Sequence, residues 1–140
     1  MSKRRDVNVL GSGVDIVEVQ RIRGAVDRWG DTFLNKIFTA GELNYAREKK
    51  IPHQHLAARF AAKEAIAKAF GDGRAAYITW QNVEVANDTE GKPYVILRGK
   101  AEEERKERGI VEVLLSMSHT KEYAVANALL IGNGNGKESS

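Results

Sequence analysis

The sequence predicts an α+β domain in which an antiparallel sheet packs against one long central helix. Three observations carry that expectation. The stretch Leu56 to Phe70, LAARFAAKEAIAKAF, is Ala-rich, holds no Gly or Pro, and reads as a helix of about four turns. Two short apolar runs, Val83–Val85 and Tyr94–Leu97, flank the turn-rich Asn87-Asp88-Thr89-Glu90-Gly91-Lys92, the pattern of a β-hairpin with a longer turn. Further strand-like runs stand at the two ends of the chain, so the order of elements suits a sheet with helices packed on one side.

The elements follow in order. Residues 1–6 are polar and basic and read as a flexible arm. Asp6 to Val19 reads as a strand, with Gly11-Ser12-Gly13 inside it marking a bend or a close backbone approach. Glu18 to Trp29 reads as a helix with Val19, Ile22 and Val26 at helical spacing, ended by Gly30. Its arginines, Arg21, Arg23 and Arg28, make it basic. Asp31 opens a short helix, DTFLNKIF. Thr39 followed by Glu42 matches a capping box and opens a helix through about Lys49. Pro52 then precedes the central helix, and Gly71 stops it. Along that helix Ala58, Ala61, Ala62, Ala65, Ile66 and Ala69 share one arc, small enough to lie close against a sheet. The charges fall outside the arc, Arg59 and Lys63 on one side, Glu64 and Lys68 on the other. Gly71-Asp72-Gly73 is either a plain helix stop or a loop open to a phosphate. After the hairpin, Ala101 to Arg108 is a charged helix closed by Gly109. Ile110–Ser118 and Tyr123–Ile131 read as strands joined by a turn at His119-Thr120-Lys121-Glu122. The domain therefore spans 7–131, and 132–140, GNGNGKESS, reads as a disordered tail.

At 140 residues with 42% hydrophobic and 29% charged content, the chain is expected to form one globular domain. No apolar run approaches the ~20 residues of a membrane span. No signal peptide is visible, and the expected compartment is the cytoplasm. With no cysteine, disulfides, thiolate metal sites and a Cys nucleophile are excluded. A net charge of +3 permits an acidic partner without choosing one.

Three separated pieces are candidates to meet: Asp15, Glu64 and His119. Read locally, Asp15 is an outward strand residue, a helix cap or a ligand, and His119 a structural turn residue or a functional one. Two carboxylates without His or Cys nearby suit a hard cation such as Mg²⁺, which takes one or two carboxylates and completes its shell with water and phosphates. Arg59, Lys63 and Lys68 would then balance phosphate charge. A Ser-His-Asp triad using Ser116 or Ser118 is a weaker reading, because adjacency along a strand does not supply the geometry.

Gly13-Val14-Asp15, Phe60-Ala61-Ala62-Lys63-Glu64-Ala65-Ile66-Ala67-Lys68 and Ser116-Met117-Ser118-His119-Thr120 resemble, in this order, the signature blocks of phosphopantetheinyl transferases. The match is to the short kind, the holo-acyl-carrier-protein synthases. Phe38 to Leu43 and Phe70 to Gly73 look like that family too. The resemblance runs from about Val9 to Ile131. It implies the phosphopantetheinyl transferase fold and a reaction. The 4′-phosphopantetheine arm of coenzyme A moves onto a serine of apo-acyl carrier protein, leaving adenosine 3′,5′-bisphosphate, in fatty acid or polyketide biosynthesis. It implies Mg²⁺, or Mn²⁺ in its stead, held by Asp15 and Glu64. Lys68 would stabilise the leaving phosphate, and Glu64 or a metal-bound water would take the serine's proton. Arg59, Lys63, Lys68, Gly71, Gly73, His119 and Thr120 would bind coenzyme A. Arg21, and Arg28 under ungapped alignment, would dock the acidic helix of the carrier. Short members are homotrimers with active sites between subunits. Three departures stand out: Gln20 occupies a position expected to be basic, one extra residue lies between Asp15 and Phe33, and the 132–140 tail has no counterpart.

Two other classes compete. The basic balance also suits a small nucleic-acid-binding domain, although no aromatic interleaving, zinc pattern or helix-turn-helix accompanies it. The small-residue helix also suits a non-catalytic oligomerisation module. Neither predicts a partner gaining the mass of a pantetheine arm.

Overall fold

The computed structural model describes residues 7–71 and 78–133. In chain order these form β1 (Val7–Glu18), α1 (Val19–Trp29), α2 (Asp31–Ile37), α3 (Ala40–Arg47), α4 (Pro52–Phe70), a 3₁₀ turn (Trp80–Asn82), β2 (Val83–Asn87), β3 (Pro93–Leu97), α5 (Gly99–Glu107), β4 (Ile110–His119) and β5 (Tyr123–Asn133). The α+β expectation holds, with the strands divided between two antiparallel sheets. One has the order β1-β5-β4; the other is the β2-β3 hairpin. No described helix is long and apolar enough to cross a membrane.

Local chemistry accounts for the element ends. The Thr39 hydroxyl accepts from Glu42 N at 3.2 Å, and Glu42 Oε1 accepts from Thr39 N at 2.9 Å, so α3 opens on a full capping box. α4 starts at Pro52 rather than Leu56, one turn earlier than the Ala-rich run suggests, because a first-turn proline has no amide hydrogen to lose. It stops at Gly71, whose φ of +139° only glycine adopts readily. β5 continues through Gly132 and Asn133, which pair with Asn8 and Val7. The expected tail therefore begins at least two residues later than 132; residues 1–6 and 134–140 lie outside the described part.

α4 is the core. It lies on the inner face of β1-β5-β4, where Ala124, Ala126, Ala128 and Leu130 of β5 are all at most 1% exposed. Gly11 and Gly13 explain how close it comes. A Cβ on Gly13 would stand 2.1 Å from the Ala65 carbonyl oxygen, and one on Gly11 would stand 2.2 Å from that of Ala69. Only a bare backbone on β1, facing alanines on α4, allows this seam. The outer face of the same sheet carries Val14, Ile16, Leu114 and Val125, all exposed. They alternate with the buried residues because successive strand side chains point to opposite faces.

Candidate active site

The glycine seam positions the first group of candidate residues. Gly13 abuts Ala65, and Gly11 abuts Ala69, so β1 and α4 run in opposite directions. Asp15 follows two residues beyond Gly13 on the same face of β1, and Lys68, whose Cβ packs at Gly13, reaches it with its ammonium. Lys68 Nζ is 2.9 Å from Asp15 Oδ1 and 3.3 Å from the Val14 carbonyl oxygen. Asp15 is therefore neither an outward strand residue nor a helix cap. It lies on the helix side of the sheet with its side chain 18% exposed. Glu64 is half-buried on the same strip. The result is two carboxylates and one partly exposed cation along an open seam.

Arg59 and Lys63 depart from expectation. Both are 2% exposed, so they do not lie outside the buried arc. The reason is that α1, α3 and β2 also pack against α4, with the Ile37 carbonyl at the end of α2 reaching Lys63, so the helix is buried on more than its sheet side. Lys63 Nζ donates to Glu42 Oε1 at 2.7 Å, to the Ile37 carbonyl at 2.8 Å and to the Trp80 carbonyl at 2.7 Å. An ammonium has three donors, and all three are engaged within the fold. Glu42 Oε2 also accepts from Val85 N at 2.7 Å. Burial raises the Glu42 pKa, against the opposing pull of Lys63 and the Thr39 and Val85 amides. Burial likewise lowers that of Lys63, against the pull of Glu42 and Glu84. The sequence marks Glu42 as a cap; its partnership with Lys63 exists only in three dimensions.

Arg59 lies with its guanidinium 4.0 Å from the centre of the Tyr45 ring and hydrogen-bonds Asn87 Oδ1. Its pKa is lowered by burial, which Tyr45 and Glu42 oppose. Its Nε is buried without a hydrogen-bond partner, and so is Nδ1 of His119. Those are the two such side-chain atoms among the described residues, and one aromatic cluster links them. Tyr45 meets His55 with ring centres 5.8 Å apart, and His55 meets His119 at 4.9 Å. Tyr45 and His55 belong to no sequence motif. Nothing in their local pattern marks them, because the cluster joins α3, α4 and β4.

Sheet register relates the two groups. Asp15, Ala126 and Met117 share one row across the sheet; Val17, Ala124 and His119 share the next. Asp15 and His119 thus face the same side, two strands and one row apart, about 12 Å between backbones. They flank one stretch of α4 without touching. Ser116 and Ser118 are exposed on the opposite face, which removes the triad reading. His119 closes β4 rather than opening the turn. Thr120 shapes the turn: its hydroxyl accepts from Glu122 N at 3.2 Å and Tyr123 N at 3.0 Å. Gly71 is exposed at the end of α4; Gly73 lies outside the described residues.

On the basic helix, Arg21, Arg23 and Arg28 are all exposed. Arg21 and Arg28 border a groove of about 440 Å³ whose floor is apolar, with Val17, Ile22, Phe33 and Phe60 among its lining. Trp29, 54% exposed, also lines it, with the Arg28 guanidinium 5.2 Å from its ring centre. A cationic rim around an apolar trough suits an amphipathic acidic helix.

A two-carboxylate seam beside a lysine, on an α+β fold built round one buried helix, defines a class. A family model described as the 4′-phosphopantetheinyl transferase superfamily matches residues 11–128. The chain belongs to that superfamily. Individual relatives narrow the branch. The holo-[acyl-carrier-protein] synthase of Halothermothrix orenii is 46% identical over 118 residues, covering 84% of this chain and 94% of that protein. The crystal structure of the Neisseria meningitidis holo-[acyl-carrier-protein] synthase superposes with a TM-score of 0.82 at 34% identity, covering 88% of this chain and 98% of that one. The Bacillus anthracis enzyme, solved in complex with CoA (3′,5′-ADP), gives 0.74 at 36% identity over 89% of this chain and 98% of that one.

Proposed function

We propose that this chain transfers the 4′-phosphopantetheine arm of coenzyme A to a serine of apo-acyl carrier protein. The observation that supports the reading is the Lys68–Asp15 contact on the glycine seam, which joins two of the residues that the family resemblance names. In this reaction the serine oxygen forms a bond to the β-phosphorus, and the pyrophosphate P–O bond to the adenosine 3′,5′-bisphosphate side breaks. Lys68 faces charge that develops on the leaving phosphate. Glu64, on the same strip, is the chain's own candidate to accept the serine proton. Among the described residues no group of three or more metal-ligating side chains occurs. Asp15 and Glu64 are carboxylates, the donor type that suits Mg²⁺ or Mn²⁺, which draw their remaining ligands from water and phosphate. When bound, such an ion would neutralise pyrophosphate charge.

Arg59 and His119 supply the second contact region for coenzyme A, since each carries a buried nitrogen in want of a partner. Lys68, Gly71 and Thr120 are further candidates to contact coenzyme A, as the family resemblance implies. Lys63 is better suited to holding α4 in place than to meeting a ligand, with its three donors engaged. The carrier docks its acidic helix in the α1 groove through Arg21 and Arg28. The exposed Val14, Ile16, Leu114 and Val125 face is covered by two further copies of the chain in a closed trimer, with active sites completed between subunits. The test is intact mass. Incubation with coenzyme A, Mg²⁺ and apo-carrier gives the carrier one pantetheine-arm mass gain, abolished by a chelator and restored by Mg²⁺. A carrier of unchanged mass under saturating conditions overturns the reading.

A further inference from the structure

His55 stands at the centre of the Tyr45–Arg59–His119 cluster. Its ring meets His119 edge-on at an interplanar angle of 71°, and it meets Tyr45 at 71° on α3. Arg59 follows one turn along α4, and the Lys49 ammonium lies 4.5 Å from the Tyr45 ring centre. The groups that bear on His55 are thus Tyr45 and Lys49 from α3 and its end, Arg59 from its own helix and His119 from β4. Two are fixed cations, and Arg59 Nε and His119 Nδ1 are orphaned. A concentration of cations and orphaned nitrogens about one ring is the chemistry of an anion site.

We propose that His55 couples coenzyme A binding to proton uptake: a phosphate entering at Arg59 and His119 draws a proton from solvent onto the His55 imidazole. The inference rests on the reading of Arg59 and His119 as coenzyme A ligands. Without ligand, burial first, then His119, Arg59 and Lys49, hold His55 below the usual imidazole range. No carboxylate contributes to that effect. A phosphate reverses the local field, so the bound state takes the proton that the free state refuses. The same ring holds the His119 imidazole edge-on, which makes His55 a positioning residue for it.

The experiment is titration calorimetry of the full-length protein with coenzyme A at pH 6, 7 and 8.5, in buffers of different ionisation enthalpy. Wild type takes up part of a proton near pH 6 to 7. His55→Phe keeps the ring but loses that uptake, binds up to about tenfold more weakly at pH 6, and matches wild type within about twofold at pH 8.5. Repeating with dephospho-coenzyme A separates the sources of the anion. If uptake vanishes, the 3′-phosphate is responsible; if it persists, the pyrophosphate is. His55→Gln, checked by circular dichroism, repeats the test with a smaller side chain. Uptake and pH dependence unchanged in both variants overturn the role of His55. Affinity indifferent to His119→Asn removes the phosphate site itself, and the proposal with it.

Discussion

Lys63→Met tests whether the first lysine of the central helix serves the fold or the ligand. Its ammonium and the Glu42 carboxylate are 2.7 Å apart, with side chains 1% and 0% exposed. Removing one partner of such a pair costs about 3–5 kcal/mol. Glu42 still accepts from the Thr39 and Val85 amides after the lysine is gone, so the loss falls at the lower end, about 3 kcal/mol. The Ile37 and Trp80 carbonyls lose a donor as well. Against a total of roughly 5–15 kcal/mol, the variant stays folded. Its melting temperature falls by about 10 °C for a domain of this size. Glu42→Gln alone strands the lysine charge, so Glu42→Gln with Lys63→Met is less destabilising than the sum of the singles. Urea unfolding measures all four corners of the cycle. Below the melting transition, the KM of Lys63→Met for coenzyme A stays at the wild-type value. A variant within about 1 kcal/mol of wild type but with a large rise in that KM would refute the structural assignment and return Lys63 to the ligand.

Asp15→Ala and Glu64→Ala should each nearly abolish transfer while circular dichroism shows the fold intact; near-normal turnover of either at saturating Mg²⁺ removes it from the metal site. Arg21→Glu should raise the KM for carrier protein far more than that for coenzyme A, and added salt should weaken wild-type docking in the same direction, because rim charges steer encounter. Unchanged carrier kinetics at low salt would take α1 out of the docking surface. Gly13→Ala should cost several kcal/mol of stability and most activity, since its Cβ would stand 2.1 Å from the Ala65 carbonyl and must push α4 from β1. Wild-type turnover in that variant would show that the seam need not be tight. Mixed Glu64→Ala and His119→Ala subunits should regain some activity if the two residues serve one site from different chains; a monomer fully active at nanomolar dilution by sedimentation would contradict the shared site.

Much of this protein is legible in the chain itself because its signals are local. The Thr39–Glu42 box and the Gly71 stop depend on hydrogen bonding and backbone freedom within a few residues, and both appear where the sequence places them. Helical spacing puts Glu64 and Lys68 together outside the apolar arc, but Asp15 reads locally as an outward strand residue, a cap or a ligand, and its contact with Lys68 belongs to the fold. What the local pattern cannot express is how many sides of an element are covered. Arg59 and Lys63 read as surface charges because one apolar arc accounts for burial against a sheet, whereas α1, α3 and β2 pack on α4 as well. Only the tertiary packing decides that Lys63 meets Glu42, twenty-one positions away, or that Tyr45, His55 and His119 form one cluster from three elements. Periodicity records which face of a segment prefers to leave water. The identity of the side chain met there is set by how the faces of separate segments come together, and that is a property of the folded chain.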